Sequence, residues 1–211
     1  MISWSIPSRR KRVIIDIDTQ RRFFPNNGKA HIHGNGTVLA NIQKIMAWAR
    51  LKHIYVVSTI QVPVNNDCHC IFQGEDTNGL EKINCTLRHR RTKFDATDST
   101  DLPIEILEQY DQVIFCKRCI DPFEEPRVDR MLTELEADEF ILIGSSVEGA
   151  IKATALGLLA RSKNVRVLVD ASCLGNKRAA KLTLGHMRAK GAKLTDTQTF
   201  LASYTIQLAK E

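Results

Sequence analysis

Three reactive or turn-forming segments each come directly after a β-branched run of the sequence. Asp18 follows the first run, Lys117 a later one, and residues 144–150 follow the next. A carboxylate can act as a general acid or base, and an ammonium group stabilises a neighbouring negative charge. Residues 144–150 open a segment rich in Ala and Leu, where helix N-terminal N–H groups could bind a developing oxyanion. These residue types indicate proton transfer and anion stabilisation.

Alternating strands and helices must position these groups. The β-branched runs predict strands at 13–17, 53–59, 112–116, 139–143, 165–169 and 192–195. Apolar periodicity, Ala- and Leu-rich composition and helix end signals predict helices at 38–51, 102–110, 127–135, 148–162, 177–190 and 197–208. This order predicts an α/β fold, a Rossmann-like three-layer α/β/α sandwich with a mostly parallel sheet of about six strands. Sites in such sheets form at the carboxyl ends of strands, here 16–20, 59–63, Lys117, 144–150 and 170–173.

Length and composition indicate one globular domain. The chain has 211 residues, of which 43% are hydrophobic, and it divides into a basic N-terminal tail, 1–12, and a domain, 13–211. No apolar run approaches the roughly 20 residues of a membrane helix, and no apolar segment follows the basic tail as in a secretory signal. We therefore expect a cytoplasmic protein with reduced cysteines and no membrane partner.

The positive charge is modest. The formal net charge is +6, from 30 basic and 24 acidic residues, with clusters at 9–12 and 88–91. Aromatic residues make up 6% of the chain and none is interleaved with these clusters, so a solvated surface is expected rather than a nucleic-acid partner.

The strand-end residues together resemble the isochorismatase-like (cysteine hydrolase) superfamily over about residues 13–192. The family pattern is Asp-x-Gln-x-x-Phe on the first strand, a lone Lys after the third, and a Gly-led turn that places a Cys at a helix N-terminus. The resemblance implies a hydrolase acting on a small molecule, without a cofactor or metal in this chain, and a homo-oligomer. It implies catalytic roles for Asp18, Lys117 and the backbone at position 150, and a substrate-binding pocket formed by Gln20, Phe23, Gln61, Ser146 and Gly149.

Ala150 stands where most of the family has its nucleophilic cysteine. Cys119 lies two residues after Lys117 and is a candidate replacement. Cys116 is expected to point away from the pocket, because neighbouring strand residues alternate. Cys173 is expected to be a buried, small apolar residue.

Two functions remain open. One is hydrolysis without a covalent intermediate, since the resemblance implies that true isochorismatases protonate a vinyl ether through the Asp and do not need the cysteine. Asp18 would then be the proton donor, which requires a raised pKa. If the first strand continues, Asp16 lies on the same face and raises the pKa of one carboxyl of the pair, whereas Lys117 acts in the opposite direction. Gln61 resembles the glutamine of the isochorismatase Gln-Pro motif, which Val62 interrupts here. The other function is that of a pseudoenzyme that binds a small molecule or a partner.

The long irregular segment 62–99 leaves further alternatives. Such loops often form lids over a pocket. A structural zinc site is another alternative, since Asp67, Cys68, His69 and Cys70 lie close in sequence and Cys85 and His89 could join them. In the superfamily that this chain resembles, nicotinamidases carry a metal through an Asp-x-His motif after the second strand. Residues 59–61 of this chain lack that motif. The loop histidines His31 and His33 are expected to be exposed.

Overall fold

The computed structural model describes residues 4–5, 12–24, 35–63 and 77–208. Its strands are β1 (Trp4–Ser5), β2 (Arg12–Ile17), β3 (Tyr55–Gln61), β4 (Arg91–Phe94), β5 (Gln112–Lys117), β6 (Leu135–Glu136), β7 (Glu139–Gly144), β8 (Val165–Ser172) and β9 (Lys193–Thr195). Its helices are α1 (Asn35–Leu51), α2 (Thr77–Leu80), α3 (Ile106–Gln109), α4 (Pro126–Glu134), α5 (Lys152–Ala160), α6 (Lys177–Ala189) and α7 (Thr197–Leu208). No helix in these ranges is both long and apolar enough to cross a membrane.

Seven of the described strands form one parallel sheet, in the order β4-β5-β3-β2-β7-β8-β9, and β1 pairs with β6 beside it. The chain moves outward from β2 in one direction through β3 and β5, and in the other through β7, β8 and β9. The carboxyl end of β2 is therefore a topological switch point, where sheets of this class form their sites.

Helices cover both faces of the sheet, as predicted for a three-layer sandwich. On one face, Ile15, Phe115 and Leu142 belong to a buried cluster with Met131 of α4 and Leu158 of α5. On the other, Ile14, Val56 and Ile141 pack with Ile45 of α1 and Phe200 of α7. Because both faces are covered, β2, β5 and β7 read as nearly continuous apolar runs.

The sheet contains a strand that the sequence analysis did not predict. Arg91–Phe94 forms β4 at the edge beside β5, where the ring of Phe94 stacks on that of Phe115 with centroids 5.6 Å apart. Its four residues lie inside the segment assigned to a loop, because so short a run has no clear periodicity. The predicted helix at 102–110 was also too long, since only Ile106–Gln109 is helical.

The predicted helix at 148–162 begins later than expected. Residues Val147–Ile151 form a wide turn in which Gly149 has φ −110° and ψ −108°, outside the helical region, and α5 starts at Lys152. The position expected to lie at a helix N-terminus, Ala150, therefore lies in this turn rather than in the first turn of α5.

Candidate active site

Asp18 and Lys117 form a buried ion pair at the carboxyl edge of the sheet. Lys117 Nζ lies 2.8 Å from Asp18 Oδ2, and the two side chains are 0% and 2% exposed. Asp18 follows β2 and Lys117 ends β5, with β3 between these strands. The structure thus brings together the two residues that the sequence analysis named as acid and ammonium group.

The backbone of Asp18 directs its side chain toward this pair. Asp18 has φ 48°, in the left-handed region that few residue types other than glycine and the Asx residues tolerate. Thr59 Oγ1 donates to Asp18 Oδ1 at 2.7 Å, and the N–H of Asp18 donates to Thr59 Oγ1 at 3.2 Å. Thr59 belongs to the strand-end segment 59–63 expected near the site, but it was given no role of its own, because a threonine has no sequence signal of a role.

Asp16 belongs to a different network on the other face of the sheet. Its carboxylate lies 2.8 Å from Lys82 Nζ and accepts hydrogen bonds from Ser58 at 2.8 Å and Thr19 at 2.7 Å. Ser58 and Thr59 are neighbours in β3 and point to opposite faces. The expectation that Asp16 and Asp18 share one face is therefore wrong, because the left-handed turn at Asp18 interrupts the strand alternation.

The loop after β5 surrounds the ammonium group of Lys117. Besides Asp18, Lys117 Nζ donates to the carbonyl oxygens of Cys119 at 3.0 Å and Ile120 at 3.3 Å, and to Gln61 Oε1 at 3.5 Å. Cys119 thus contributes a backbone oxygen here. These acceptors hold the ammonium group at the end of the strand and compensate for its burial.

Gln20 and Gln61 bind one another across the neighbouring strand ends. Gln20 Nε2 donates to the carbonyl of Gln61 at 3.0 Å, and the N–H of Gln61 donates to Gln20 Oε1 at 3.0 Å. Both polar atoms of the Gln20 amide are therefore engaged within the protein, so this side chain braces the site. The side-chain oxygen of Gln61 faces Lys117.

Arg22 is a charged group at the site that the sequence analysis missed. Its guanidinium donates to the carbonyl of Gln61 at 2.8 Å and to Gln20 Oε1 at 3.3 Å. Burial lowers the pKa of Arg22, and the negative charge of Asp18 opposes that shift. The ring of Phe23 lies 4.9 Å from this guanidinium and packs against the cluster beside α1, so it supports the turn that carries Arg22.

The turn that carries Ala150 lies beside the Lys117 loop. A Cβ placed on Gly149 would lie 3.6 Å from Ile120 Cγ2, and Ile120 is a Lys117 acceptor. The N–H of Gly149 donates to the carbonyl of Ser146 at 3.2 Å, so in this conformation it does not serve an oxyanion. A cis peptide joins Ser145 and Ser146. The Ala150 side chain is 4% exposed, too small and apolar to act as a nucleophile.

The buried thiols are not activated. Cys116 packs with Ile60 and Ile114 on the face opposite Lys117, which confirms its predicted orientation, and burial raises its pKa. Cys173 is also buried, as expected, and burial raises its pKa to about 12. Because the thiolate is the nucleophilic form, neither residue substitutes for the missing cysteine.

The side chains at the end of β3 do not fit the metal motif that the family resemblance implies for nicotinamidases. Thr59 and Gln61 supply a hydroxyl and an amide there, and both side chains are engaged with the Asp18–Lys117 pair. In the ranges that the structure describes, no group of three or more His, Cys, Asp or Glu side chains could hold a metal ion. The zinc ligands proposed at 67–70, as well as His31 and His33, lie outside those ranges.

Comparison with known proteins gives one family and one fold. A sequence model of the isochorismatase domain matches residues 12–199. An isochorismatase-like hydrolase from Alkaliphilus metalliredigens is similar in structure, with a TM-score of 0.69, 20% identity, and coverage of 92% of this chain and 98% of that one. Nicotinamidase PncA from Bacillus subtilis has a TM-score of 0.67, 17% identity, and coverage of 88% and 99%.

A third similar structure is the MAR1 ribonuclease from Caenorhabditis elegans. Its TM-score is 0.62 at 18% identity, with coverage of 90% of this chain and 79% of that one. At these identities the structural matches establish the shared fold. No curated protein sequence matches this chain significantly.

Proposed function

This chain belongs to the isochorismatase domain family, and on that premise we propose that it hydrolyses a small molecule by acid catalysis, with Asp18 as proton donor and no covalent enzyme intermediate. The observation that carries the proposal is the contact of 2.8 Å between Lys117 Nζ and Asp18 Oδ2, buried at the switch point of the sheet. A carboxyl group held in this way has a fixed direction for proton transfer.

A vinyl ether is the substrate type that this arrangement suits. The cycle begins when Asp18, a carboxylate paired with Lys117 in the resting site, takes up a proton from water. The carboxyl group then gives this proton to the enol-ether carbon, and the ether oxygen stabilises the resulting cation. Water adds to the cation and returns a proton to Asp18, and the hemiketal then collapses to a carbonyl compound and an alcohol. Between these steps Asp18 is a carboxylate, which Lys117 and the Thr59 hydroxyl stabilise through charge-assisted hydrogen bonds.

Ala150 supports the non-covalent route. Amide hydrolysis through a thioester needs a thiolate at that position, and the side chain there is a methyl group. The neighbouring buried thiols, Cys116 and Cys173, are held in the neutral form by burial. Protonation followed by water attack needs none of these groups.

Turnover assays on paired variants test the proposal. Purified protein is assayed on vinyl-ether and amide substrates, together with Asp18→Asn and the exposed control Asp101→Asn. We expect vinyl-ether turnover by the wild type and the control, and a loss of about 10²–10⁴-fold in Asp18→Asn. Turnover that is indifferent to Asp18, or confined to amides, would contradict it. Circular dichroism spectra of both variants report whether the fold is kept.

The alternative is a pseudoenzyme that binds a small molecule or a partner in the same pocket, and Ala150 is the observation that favours it. Thermal-shift measurements with small carboxylic acids and vinyl ethers separate the two functions. Stabilisation that depends on Asp18 without turnover of any compound would select the pseudoenzyme. The homo-oligomer implied by the family resemblance is part of either proposal, and light scattering of the purified protein tests it.

A further inference from the structure

The net charge of the chain is concentrated in one segment. Residues 171–195 contain six Lys or Arg residues and no Asp or Glu, so this segment alone accounts for the formal net charge of +6. Over the remaining residues, 24 basic side chains balance 24 acidic ones. The segment comprises the end of β8, the whole of α6 and β9, the strand at the end of the sheet.

These six cations lie on α6 and on the residues that follow it, a surface that we call the α6 face, and Lys177, Lys181 and Arg188 share one side of the helix. All six are exposed, and none takes part in an ion pair or side-chain hydrogen bond with any residue in the described ranges: Lys177, Arg178, Lys181, Arg188, Lys190 and Lys193. Some other exposed cations have carboxylate partners, as Lys93 has Asp95 and Arg90 has Asp111. Because like charges repel, an anion that neutralised these neighbouring unpaired cations would be bound favourably.

The first turn of α6 carries two cations that are unfavourable for the stability of the helix. Lys177 and Arg178 lie at the N-terminus, the positive end of the helix dipole, and no acidic residue is present in that turn. Cations there are unfavourable, whereas acidic residues are favoured. Asn176 caps the helix, and the Glu148 carboxylate accepts from the N–H groups of Gly175 and Asn176 at 2.8–3.2 Å. The fold thus supports this end of α6 by other means while two cations remain exposed.

A cleft follows the α6 face. It has a volume of about 680 Å³ and lies between α6 and residues of β8 and β9. Lys177, Lys181 and Arg188 line it together with the carboxylate residue Asp196, at the β9 side, and apolar side chains that include Leu174 and Leu184. The α6 end of the cleft adjoins the turn that carries Ala150, because Glu148 of that turn binds the backbone before α6. The cations therefore extend from the site edge of the sheet along the helix.

From this arrangement we propose that the α6 face binds single-stranded nucleic acid through its phosphate backbone, independently of base sequence. Four unpaired cations along a helix of about 20 Å, with Lys190 and Lys193 beyond its end, match a flexible chain that carries one negative charge per nucleotide. The apolar part of the cleft gives an unstacked base or sugar a place to lie. The sequence analysis did not favour a nucleic-acid partner, because no aromatic residues are interleaved with the basic clusters. Without such aromatic residues the bases cannot stack on the protein, but contacts to the phosphates remain.

Other occupants fit the face less well. A second copy of this chain meeting the same face would bring six cations against six. A stable protein partner is disfavoured because four of the six are lysines, which are depleted in protein–protein interfaces. A phosphate backbone is the partner for which unpaired lysines are typical.

Fluorescence anisotropy with a labelled 20-nucleotide oligouridylate tests the proposal between 50 and 300 mM NaCl. Each phosphate neutralised contributes about −0.7 to the slope of log K against log[NaCl], so four to six contacts predict a slope of about −3 to −4. Lys177→Gln/Lys181→Gln should make the slope less steep by about 1.4 and weaken binding at 50 mM by roughly 10- to 100-fold. Lys44→Gln/Lys52→Gln, which removes the same charge from exposed lysines of the α1 layer, should stay within about twofold.

Several results would overturn the proposal. One is the absence of oligouridylate binding at 50 mM NaCl. Another is an equal loss of affinity in the Lys44/Lys52 control. A third is a loss of affinity in the tail variant Arg9→Gln/Arg10→Gln but not in the Lys177/Lys181 variant. Competition by a 20-residue poly-L-glutamate as effective as that by oligouridylate would instead identify an acidic protein as the partner. Vinyl-ether turnover by the Lys177/Lys181 variant is independent of all these outcomes, so failure here and failure of the hydrolase proposal are distinguishable.

Discussion

Thr59 and Asp18 hold one another through two hydrogen bonds between neighbouring strands. The Thr59 hydroxyl donates to Asp18 Oδ1 at 2.7 Å and accepts from the Asp18 N–H at 3.2 Å. This reciprocal contact occupies the carboxylate oxygen that Lys117 does not bind, and it restrains the left-handed backbone at Asp18. The direction of the proposed proton donor therefore depends on a hydroxyl group in the adjacent strand.

Thr59→Val tests this dependence, because valine keeps the shape and removes the hydroxyl. We expect the free energy of unfolding to fall by about 1–3 kcal/mol, since a buried carboxylate oxygen and an N–H lose their partner. Any vinyl-ether turnover should fall with it. Urea unfolding followed by circular dichroism measures the first effect, and the exposed control Thr100→Val should change stability by less than about 0.5 kcal/mol. A Thr59→Val protein as stable and active as the wild type would contradict the role.

A double-mutant cycle on Asp18 and Lys117 should show strong coupling. Removing one partner leaves a buried charge, so Asp18→Asn or Lys117→Met should each cost about 3–5 kcal/mol of unfolding free energy. The double variant should lose less than the sum, because neither charge is left alone. Additive losses in urea unfolding would mean that the pair does not interact as its distance implies.

The second buried pair supplies a comparison for that cycle. Asp16 and Lys82 are also in contact at 2.8 Å with side chains 0% and 2% exposed, on the opposite face of the sheet. Asp16→Asn should therefore destabilise the protein by a similar amount. When the two variants are compared at the same folded fraction, Asp16→Asn should leave ligand binding intact. Asp18→Asn should abolish ligand binding. Thermal-shift titration of the two variants with one ligand distinguishes a structural pair from a site pair.

Ala150→Cys should create a reactive thiol. The turn places position 150 beside the loop that holds the Lys117 ammonium group, and a nearby cation lowers the pKa of a thiol. We expect iodoacetamide at pH 7 to modify Cys at 150 at least about tenfold faster than at the buried control Ala155→Cys in α5. Mass spectrometry of the peptides that contain each position measures the rates. Equal rates would show that position 150 is not electrostatically activated.

Cys173 should make stability fall in alkaline solution. Burial raises the pKa of its thiol from 9.0 to about 12, so the folded state keeps a proton that the unfolded state releases. The stabilisation is complete below pH 9 and is lost as the pH rises toward 12. Relative to Cys173→Ala, the wild type should lose about 2 kcal/mol of unfolding free energy between pH 8 and 10.5.

Urea unfolding at each pH measures the free energy of unfolding of the wild type and of Cys173→Ala. The difference between the two proteins cancels the contribution of other groups that titrate in the same range, including Tyr204, whose pKa burial raises to about 12. A pH-independent difference would show that the thiol is solvated.

Much of the fold followed from local patterns. The β-branched runs predicted β2, β5 and β7 to within a residue, because these strands are buried on both faces and therefore almost continuously apolar. The limits of α7 were also predicted correctly. β4 was missed because its four residues form a strand only by pairing with β5. Residues 148–151 were predicted to be helical because they directly precede the Ala- and Leu-rich α5, and the non-helical backbone of Gly149 is visible only in the structure.

The sequence by itself determined the family, the parallel sheet and the presence of Asp18 and Lys117 at strand ends, because those features depend on residue types and on their order. It also determined that position 150 has no thiol. Only the tertiary structure decided that Asp18 turns away from the face of Asp16, that Thr59 and Gln61 complete its surroundings, and that three unpaired cations line one cleft beside α6. Each of these depends on which strand end or carboxylate lies nearby in space, and residues 40 to 100 positions apart in the sequence become neighbours only through the packing of the sheet.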